Sequence, residues 1–191
     1  MSINYKSTVN DAVASKKLVI ETGAYLGDGI NKFIENGFER VVSIEIDTRL
    51  FEHCKNRFRD NESVQMVNGN SVDYLRENIE KMPDEVLFFL DAHFSGGITS
   101  HADGQKVPLI EELEIILSGF TGDTCSIIID DADYFSEDEK DFAGEDYDWW
   151  SGITESKVLD VLAAHSEFSF EHYYAEDKTV YVIKVKRKNE N

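Results

Sequence analysis

Cationic side chains are scarce in this chain: 19 Lys and Arg stand against 38 Asp and Glu, a formal charge of −19 at pH 7. Recognition of a phosphate backbone rests on a basic stripe, so nucleic acid is not expected as the substrate. The one basic cluster, Lys184 to Lys188, is short and suits the solvated edge of a last strand. Cysteine is equally sparse. Cys54 falls in a helical pattern and Cys125 in an apolar strand, so both read as free core thiols rather than disulfide or metal partners. No run reaches the ~18 uninterrupted apolar residues of a membrane span, and the polar N-terminus lacks a signal-peptide core. Residence in the cytoplasm, away from membranes, is the expectation. Internal repeats and low-complexity linkers are also lacking.

What the chain does have is the composition of an ordinary globular protein, 41% apolar and 12% aromatic over 191 residues. That length suits one domain, residues 1–191, with a sizeable core. Strands are predicted at about 18–22, 41–46, 63–67, 85–91, 125–130, 168–174 and 179–186. Helices are predicted between them, at about 28–36, 48–59, 71–80, 108–118 and 153–165. The first five strands are apolar runs without clean alternation, as a parallel sheet covered on both faces requires. The last two are joined across Ala175-Glu-Asp-Lys178, too short a link for a parallel crossover, and so form an antiparallel hairpin. The fold class is α/β.

The segment Leu18-Val-Ile-Glu-Thr-Gly-Ala-Tyr-Leu-Gly-Asp-Gly29 runs from an apolar strand through a glycine-spaced turn into an amphipathic helix. Glycines at 23, 27 and 29 let a cofactor lie against bare backbone where that helix begins. The spacing, Glu-x-Gly-x-x-x-Gly-x-Gly, is not the dinucleotide fingerprint G-x-G-x-x-G. About 20 residues on, Val42-Ser-Ile-Glu-Ile-Asp47 ends a second strand in acid, and Met66-Val-Asn-Gly-Asn-Ser-Val-Asp73 turns out of a third. Taken singly, each has a plain explanation: a tight connection, or carboxylates solvating a strand end.

Together the three segments resemble motif I, the acidic end of the second strand and the turn after the third in class I S-adenosylmethionine (AdoMet) methyltransferases. The resemblance spans nearly the whole chain. It implies a Rossmann-like, seven-stranded, mostly parallel sheet with an antiparallel last strand and helices on both faces. It also implies a donor site. Glu21, Gly23, Ala24, Tyr25, Gly27 and Gly29 would hold the amino-acid end, Glu45 with Ile46 the ribose hydroxyls, and Asn70 with Ser71 the adenine, with Asp91 nearby. AdoMet has no pyrophosphate, so carboxylates near the loop are tolerated, and a carboxylate accepting from hydroxyls makes strong, charge-assisted bonds.

A second constellation concerns chemistry. Val86-Leu-Phe-Phe-Leu-Asp91 and Ser126-Ile-Ile-Ile-Asp-Asp131 are apolar strands that each end in carboxylate at the edge where open α/β sheets bind ligands. Three carboxylates gathered there call for a cation. Oxygen ligands favour Mg²⁺, with Mn²⁺ or Ca²⁺ as substitutes. The pattern resembles metal-dependent O-methyltransferases of the catechol type and of the macrolide and aminocoumarin sugar type. It implies a metal held by Asp91, Asp130 and Asp131 that chelates neighbouring substrate hydroxyls. The departure lies in the base: catechol-type enzymes carry Lys three residues after the first metal Asp, and this chain has Phe94 there. His93 stands as the candidate general base beside Asp91. Against this, Asp130 and Asp131 are equally suited to capping the acidic segment behind them, and His93 to bonding backbone as a neutral residue.

Two insertions are expected to shape the acceptor pocket. The glycine-rich stretch 94–108 follows Asp91 directly, as a lid over a reaction centre would. The block Asp91-Ala-His-Phe-Ser-Gly-Gly97, with Pro108-Leu-Ile-Glu-Glu-Leu113 behind it, also resembles a signature of small bacterial and viral methyltransferase-like proteins. Ser95 and His101 are acceptor-contact candidates or plain loop residues. The acidic stretch 132–150 ends in Tyr147-Asp-Trp-Trp150, where Tyr147, Trp149 and Trp150 either wall the acceptor site or anchor the next helix. The expected activity is AdoMet-dependent, Mg²⁺-assisted O-methylation of a small hydroxylated molecule or glycan. Aminopropyl transfer and a non-catalytic AdoMet-binding interaction module stay open. A homodimer through the last hairpin or the aromatic segment is compatible with the residues, and nothing demands it.

Overall fold

The computed structural model describes residues 12–13, 15–93, 98–102, 106–135, 150–175 and 178–189. Among these, the strands β1 (Leu18–Thr22), β2 (Arg40–Glu45), β3 (Val64–Asn68), β4 (Val86–Leu90), β5 (Thr124–Ile129), β6 (Phe168–Tyr174) and β7 (Tyr181–Arg187) form one sheet. Its order is β3-β2-β1-β4-β5-β7-β6. The first five strands run parallel, and β7 pairs antiparallel with both β5 and β6. The helices are α1 (Asp28–Glu35), α2 (Thr48–Arg57), α3 (Ser71–Asn78), α4 (Leu109–Gly119) and α5 (Glu155–Ala164). Every predicted strand and helix is present, with ends within a few residues. The third helix closes as a 3₁₀ turn over Ile79–Lys81, and the fifth starts late because Thr154 caps it, accepting from the Lys157 amide at 3.1 Å.

Alternate strand residues feed two separate cores. Ile20, Val42, Phe88, Ile127 and Ile183 face Leu75, Leu113, Ile116, Val158 and Leu162 of α3, α4 and α5. Val19, Val41, Leu87, Phe89, Ile128 and Val182 face Ile30 and Phe33 of α1 and Cys54 of α2. Both sides of each central strand are therefore buried, and this is why their sequences are mainly apolar runs instead of apolar at every second position. Burial of this kind contributes roughly 1.5–3 kcal/mol per large side chain.

One consequence of the parallel order is positional. Strands β1 to β5 all end at the same edge, and the Ile129–Tyr181 register brings the start of β7 there as well. Strand β1 lies between β2 and β4, so the chain leaves it in opposite directions and opens a crevice at that edge. Elsewhere the basic cluster is spent on structure: Lys184 pairs with Glu171, Arg187 donates to the carbonyls of Phe120 and Gly122, and Lys188 donates to that of Ser166. Cys54 and Cys125 are free and buried. Among the described residues no helix is long and apolar enough to cross a membrane.

Candidate active site

Five strand ends converge on the crevice. After β1 the backbone turns through Gly23, at φ +86°, and the space a side chain would need is filled by the Asp91 carbonyl. The Gly23 amide donates to the Ile44 carbonyl at 2.9 Å and the Asp91 amide to the Thr22 carbonyl at 3.0 Å. Three loops are thus stitched together by backbone. Gly27, at φ +84°, caps α1, and a Cβ there would lie 2.6 Å from the Phe58 ring. Gly29 is required for a different reason: its missing side chain leaves room for the Glu21 carboxylate, tucked beneath the first turn of α1.

Glu21 is 2% exposed and accepts a short hydrogen bond from the Ser43 hydroxyl. Burial pushes its pKa up to about 8, with Ser43 opposing that rise. Glu45 is also buried. Its two oxygens accept from the Tyr25 amide at 2.9 Å and the Asp47 amide at 2.8 Å. Burial still raises its pKa above the ordinary carboxylate value. A carboxylate offers roughly four lone-pair positions. Glu45 therefore holds the glycine loop from its strand end and keeps acceptor capacity to spare. Ile46 follows it directly, and Tyr25, at φ 48°, is 48% exposed above the loop.

After β3 the Asn70 side chain caps α3 by accepting from the Val72 amide at 2.9 Å. Ser71, the first residue of α3, is 6% exposed. Asp47 serves as N-cap of α2, accepting from the Arg49 and Leu50 amides and pairing with the Arg49 guanidinium at 2.7 Å.

The acidic half of the site lies at the tips of β4 and β5. His93 is 9% exposed and bridges two carboxylates: Nδ1 is 3.3 Å from Asp91 Oδ1 and Nε2 is 2.9 Å from Asp131 Oδ2. A neutral imidazole has one donor for two such contacts. Asp131 adopts a left-handed backbone, φ 54° and ψ 31°, which swings its side chain toward His93. Asp130 instead turns one oxygen back to accept from the Asp131 amide at 3.0 Å. Ligand atoms of Asp91, His93 and Asp131 lie within 4.8 Å of one another. The convergent set is therefore one imidazole and two carboxylates, with Asp130 beside it, and differs from the three-aspartate set read from sequence. Burial, then the charge of Asp131, pushes Asp130 up to about 6. Burial, then Asp130 and Asp131, raises Asp91 well above the carboxylate range.

Trp150 is 2% exposed and packs against His93 at 5.3 Å, with Tyr134 stacked on its other side at 5.8 Å. It supports the imidazole from behind and presents no open face to an acceptor. Phe94, Ser95, Tyr147 and Trp149 lie outside the described residues. His101 is exposed, its Nδ1 2.8 Å from the Ala102 carbonyl. The described part of the glycine-rich insertion is tied toward the donor rim: the Ser100 hydroxyl donates to Asp47 at 2.6 Å and Arg49 to the Ile98 carbonyl at 3.4 Å.

Sequence reasoning missed Glu112, which is buried at 1% exposure with one oxygen unpartnered. The signal was its spacing: three after Leu109 and four before Ile116, it falls on the apolar stripe of α4.

No protein-family model matches this chain, and no curated protein matches it by sequence. Solved structures do match its fold. A SAM-dependent methyltransferase from Archaeoglobus fulgidus superposes with a TM-score of 0.60 at 14% identity, over 94% of this chain and 90% of that one. An O-methyltransferase from Bacillus cereus, solved in complex with SAH, gives 0.58 at 18% identity over 90% and 74%. A candidate rRNA methylase from Clostridium thermocellum gives 0.53 at 15% identity over 90% and 89%. At such identities the likeness establishes the fold, that of Rossmann-like class I methyltransferases.

Proposed function

We propose that the protein is an AdoMet-dependent methyltransferase that methylates a hydroxyl of a small molecule or glycan with the help of a divalent cation. The observation that carries this reading is the contact between Gly23 and Asp91. It fastens the donor loop to the acidic cluster, so a methyl group held over one faces an oxygen held over the other.

Glu45 would hold the donor's ribose, the backbone at Asn70 and Ser71 its adenine, and the glycine turn above Glu21 its amino-acid end. The acceptor oxygen attacks the methyl carbon in line, the carbon–sulfur bond breaks, and its electron pair neutralises the sulfonium. The acceptor proton leaves to a base. His93, between two carboxylates, is the group placed to accept it or to serve as a ligand.

Asp91, His93 and Asp131 would hold the cation, and Asp130 would adjust the local charge. A donor set of one nitrogen and two carboxylate oxygens suits Mn²⁺ as well as Mg²⁺. When bound, such an ion supplies Lewis acidity and orients neighbouring hydroxyls. An acceptor such as RNA, suggested by one structural neighbour, is disfavoured by the net charge of −19.

The test is mass-spectrometric detection of S-adenosylhomocysteine (SAH) formed over a panel of catechols, sugars and polyols, with and without Mg²⁺ or Mn²⁺. Turnover that needs the ion and vanishes in Asp131→Ala supports the reading. Tight SAH binding with no product across the panel favours the non-catalytic module instead.

A further inference from the structure

Tyr181 opens β7 at the ligand edge of the sheet, opposite Ile129, and carries a hydroxyl into the core. The residue is 0% exposed, so that hydroxyl must find its partners inside the fold. It has two. The hydroxyl donates to Glu155 Oε1 at 3.2 Å and lies 2.6 Å from His172 Nδ1. The other oxygen of Glu155 accepts from the Tyr174 hydroxyl at 3.1 Å. A phenol has one proton, so with Glu155 as its acceptor the His172 nitrogen is the donor to Tyr181. Glu155, in the first turn of α5, is thus fastened to both strands of the last hairpin.

We propose that Glu155 is a positioning residue for the His93 cluster, anchoring the segment that carries Trp150 to the β6–β7 hairpin through Tyr174 and Tyr181. The proposal rests on the reading of Asp91, His93 and Asp131 as a cation site. Trp150 and Glu155 belong to one tight stretch, in which the Ile153 amide donates to the Trp150 carbonyl at 2.8 Å and Thr154 caps α5. The Phe135 ring spans its two ends, 6.3 Å from Trp150 and 6.0 Å from Tyr181. The turn behind Asp131 is held to the same hairpin by backbone, where the Ala132 amide donates to the Thr179 carbonyl at 2.8 Å. One carboxylate of the cluster and the ring that backs its imidazole are therefore both placed relative to the start of β7. The second placement runs through side chains, and Glu155 is the acceptor that joins them. A phenylalanine at position 181 would fill the core with no polar partner, which assigns the hydroxyl and its carboxylate to placement instead of burial.

Two variants separate placement from packing. The double variant Tyr174→Phe with Tyr181→Phe keeps both rings and removes both bonds to Glu155, whereas Glu155→Gln can still accept from one tyrosine and donate to the other. Mn²⁺ affinity is measured by calorimetry well below each melting temperature, and nitrogen NMR follows the His93 ring in the ion-free protein. Groups behind a metal ligand typically change ion affinity about 10–100-fold, so the double variant is expected to bind Mn²⁺ at least about tenfold more weakly and to shift the His93 signals. Glu155→Gln is expected within about threefold of wild type, with its His93 signals in place. Wild-type affinity in the folded double variant overturns the proposal, and so do unmoved His93 signals or a Glu155→Gln variant as weak as the double. Should the double variant not fold, each single tyrosine variant is read by the same criteria, with a smaller expected loss. If the wild-type protein takes up no Mn²⁺, the cation reading fails, and the His93 signals alone decide: shifted in the tyrosine variants they support the anchoring, unmoved they overturn it.

Discussion

Gly23 and Asp91 touch across the crevice, and the position a Cβ would take on Gly23 is filled by the Asp91 carbonyl. The glycine loop and the start of the acidic cluster are packed backbone to backbone because of it. Gly23→Ala must relieve both this clash and a backbone held at φ +86°, which costs a non-glycine residue about 1–3 kcal/mol. The variant is expected to melt several degrees lower and to lose SAH binding at temperatures where it is still folded. Calorimetry on the folded fraction checks this; native affinity would mean the two loops need not touch.

The buried carboxylates give the protein a definite pH response. The Glu21 pKa is about 8 in the fold against 4.5 for the free side chain. A folded-state pKa raised above the unfolded value contributes stability below about pH 4.5, and this contribution is lost as pH rises to about 8. The loss is on the order of 3–5 kcal/mol for Glu21. Chemical denaturation from pH 5 to 8.5 should show wild-type stability falling while Glu21→Gln falls much less, the two curves converging on the acid side. Parallel curves would remove Glu21 as the source.

His93 has two candidate roles that a metal titration separates. A ligand is needed for ion binding, and a base is not. At a hundredfold excess over its dissociation constant an ion stabilises by about 2.7 kcal/mol, which is about 5 to 10 °C in a protein of this size. His93→Ala and Asp131→Ala should both abolish the Mn²⁺-induced rise in melting temperature, and Asp130→Asn should retain part of it. A full rise in His93→Ala would leave the residue as a base alone.

The fold was legible in the sequence because its strands obey a simple rule. A strand with a core on each face must be apolar throughout, and Val86-Leu-Phe-Phe-Leu90 and Ile127-Ile-Ile129 can satisfy little else. The glycine turn was legible because Gly23 and Gly27 adopt positive φ and Gly29 makes way for Glu21. The acidic cluster was legible only in outline. Which of two adjacent aspartates turns inward depends on the left-handed backbone at Asp131, and no residue pattern announces that. Trp150 stayed open between an acceptor wall and a helix anchor because aromatic character does not reveal which side of a site a ring occupies; it is buried against His93. Glu45 is a similar case, since its sequence position gives the strand end but not the two amides that reach its oxygens.

Trp150 makes its own prediction. It fills the space between His93 and the Tyr134 and Phe135 rings. Trp150→Ala should lower stability by about 3–5 kcal/mol. Trp150→Phe should be far milder and should still weaken the Mn²⁺ response, because a smaller ring leaves the imidazole loose. Melting curves of both variants with and without ion check the point; an unaltered ion response in Trp150→Phe would show that His93 needs no backing.

Ser100 and Asp47 set the last expectation. They lie 53 residues apart, and their hydrogen bond at 2.6 Å pins the described part of the glycine-rich insertion beside the loop that carries Glu45. Arg49 adds a second tie, to the Ile98 carbonyl, and its own pairing with Asp47 keeps that carboxylate turned toward Ser100. Asp47 is meanwhile secured by the α2 amides, so losing Ser100 leaves it capped and the helix intact. A nucleoside seated on Glu45 would sit under this strap and leave only when it lifts. A hydrogen bond to a charged group contributes about 1.5–3 kcal/mol, or about a factor of ten or more in rate if it breaks before release. Ser100→Ala should therefore speed SAH dissociation about tenfold in stopped-flow displacement, with melting temperature nearly unchanged. Equal dissociation rates would place the strap away from the exit path and leave the insertion free to serve the acceptor alone.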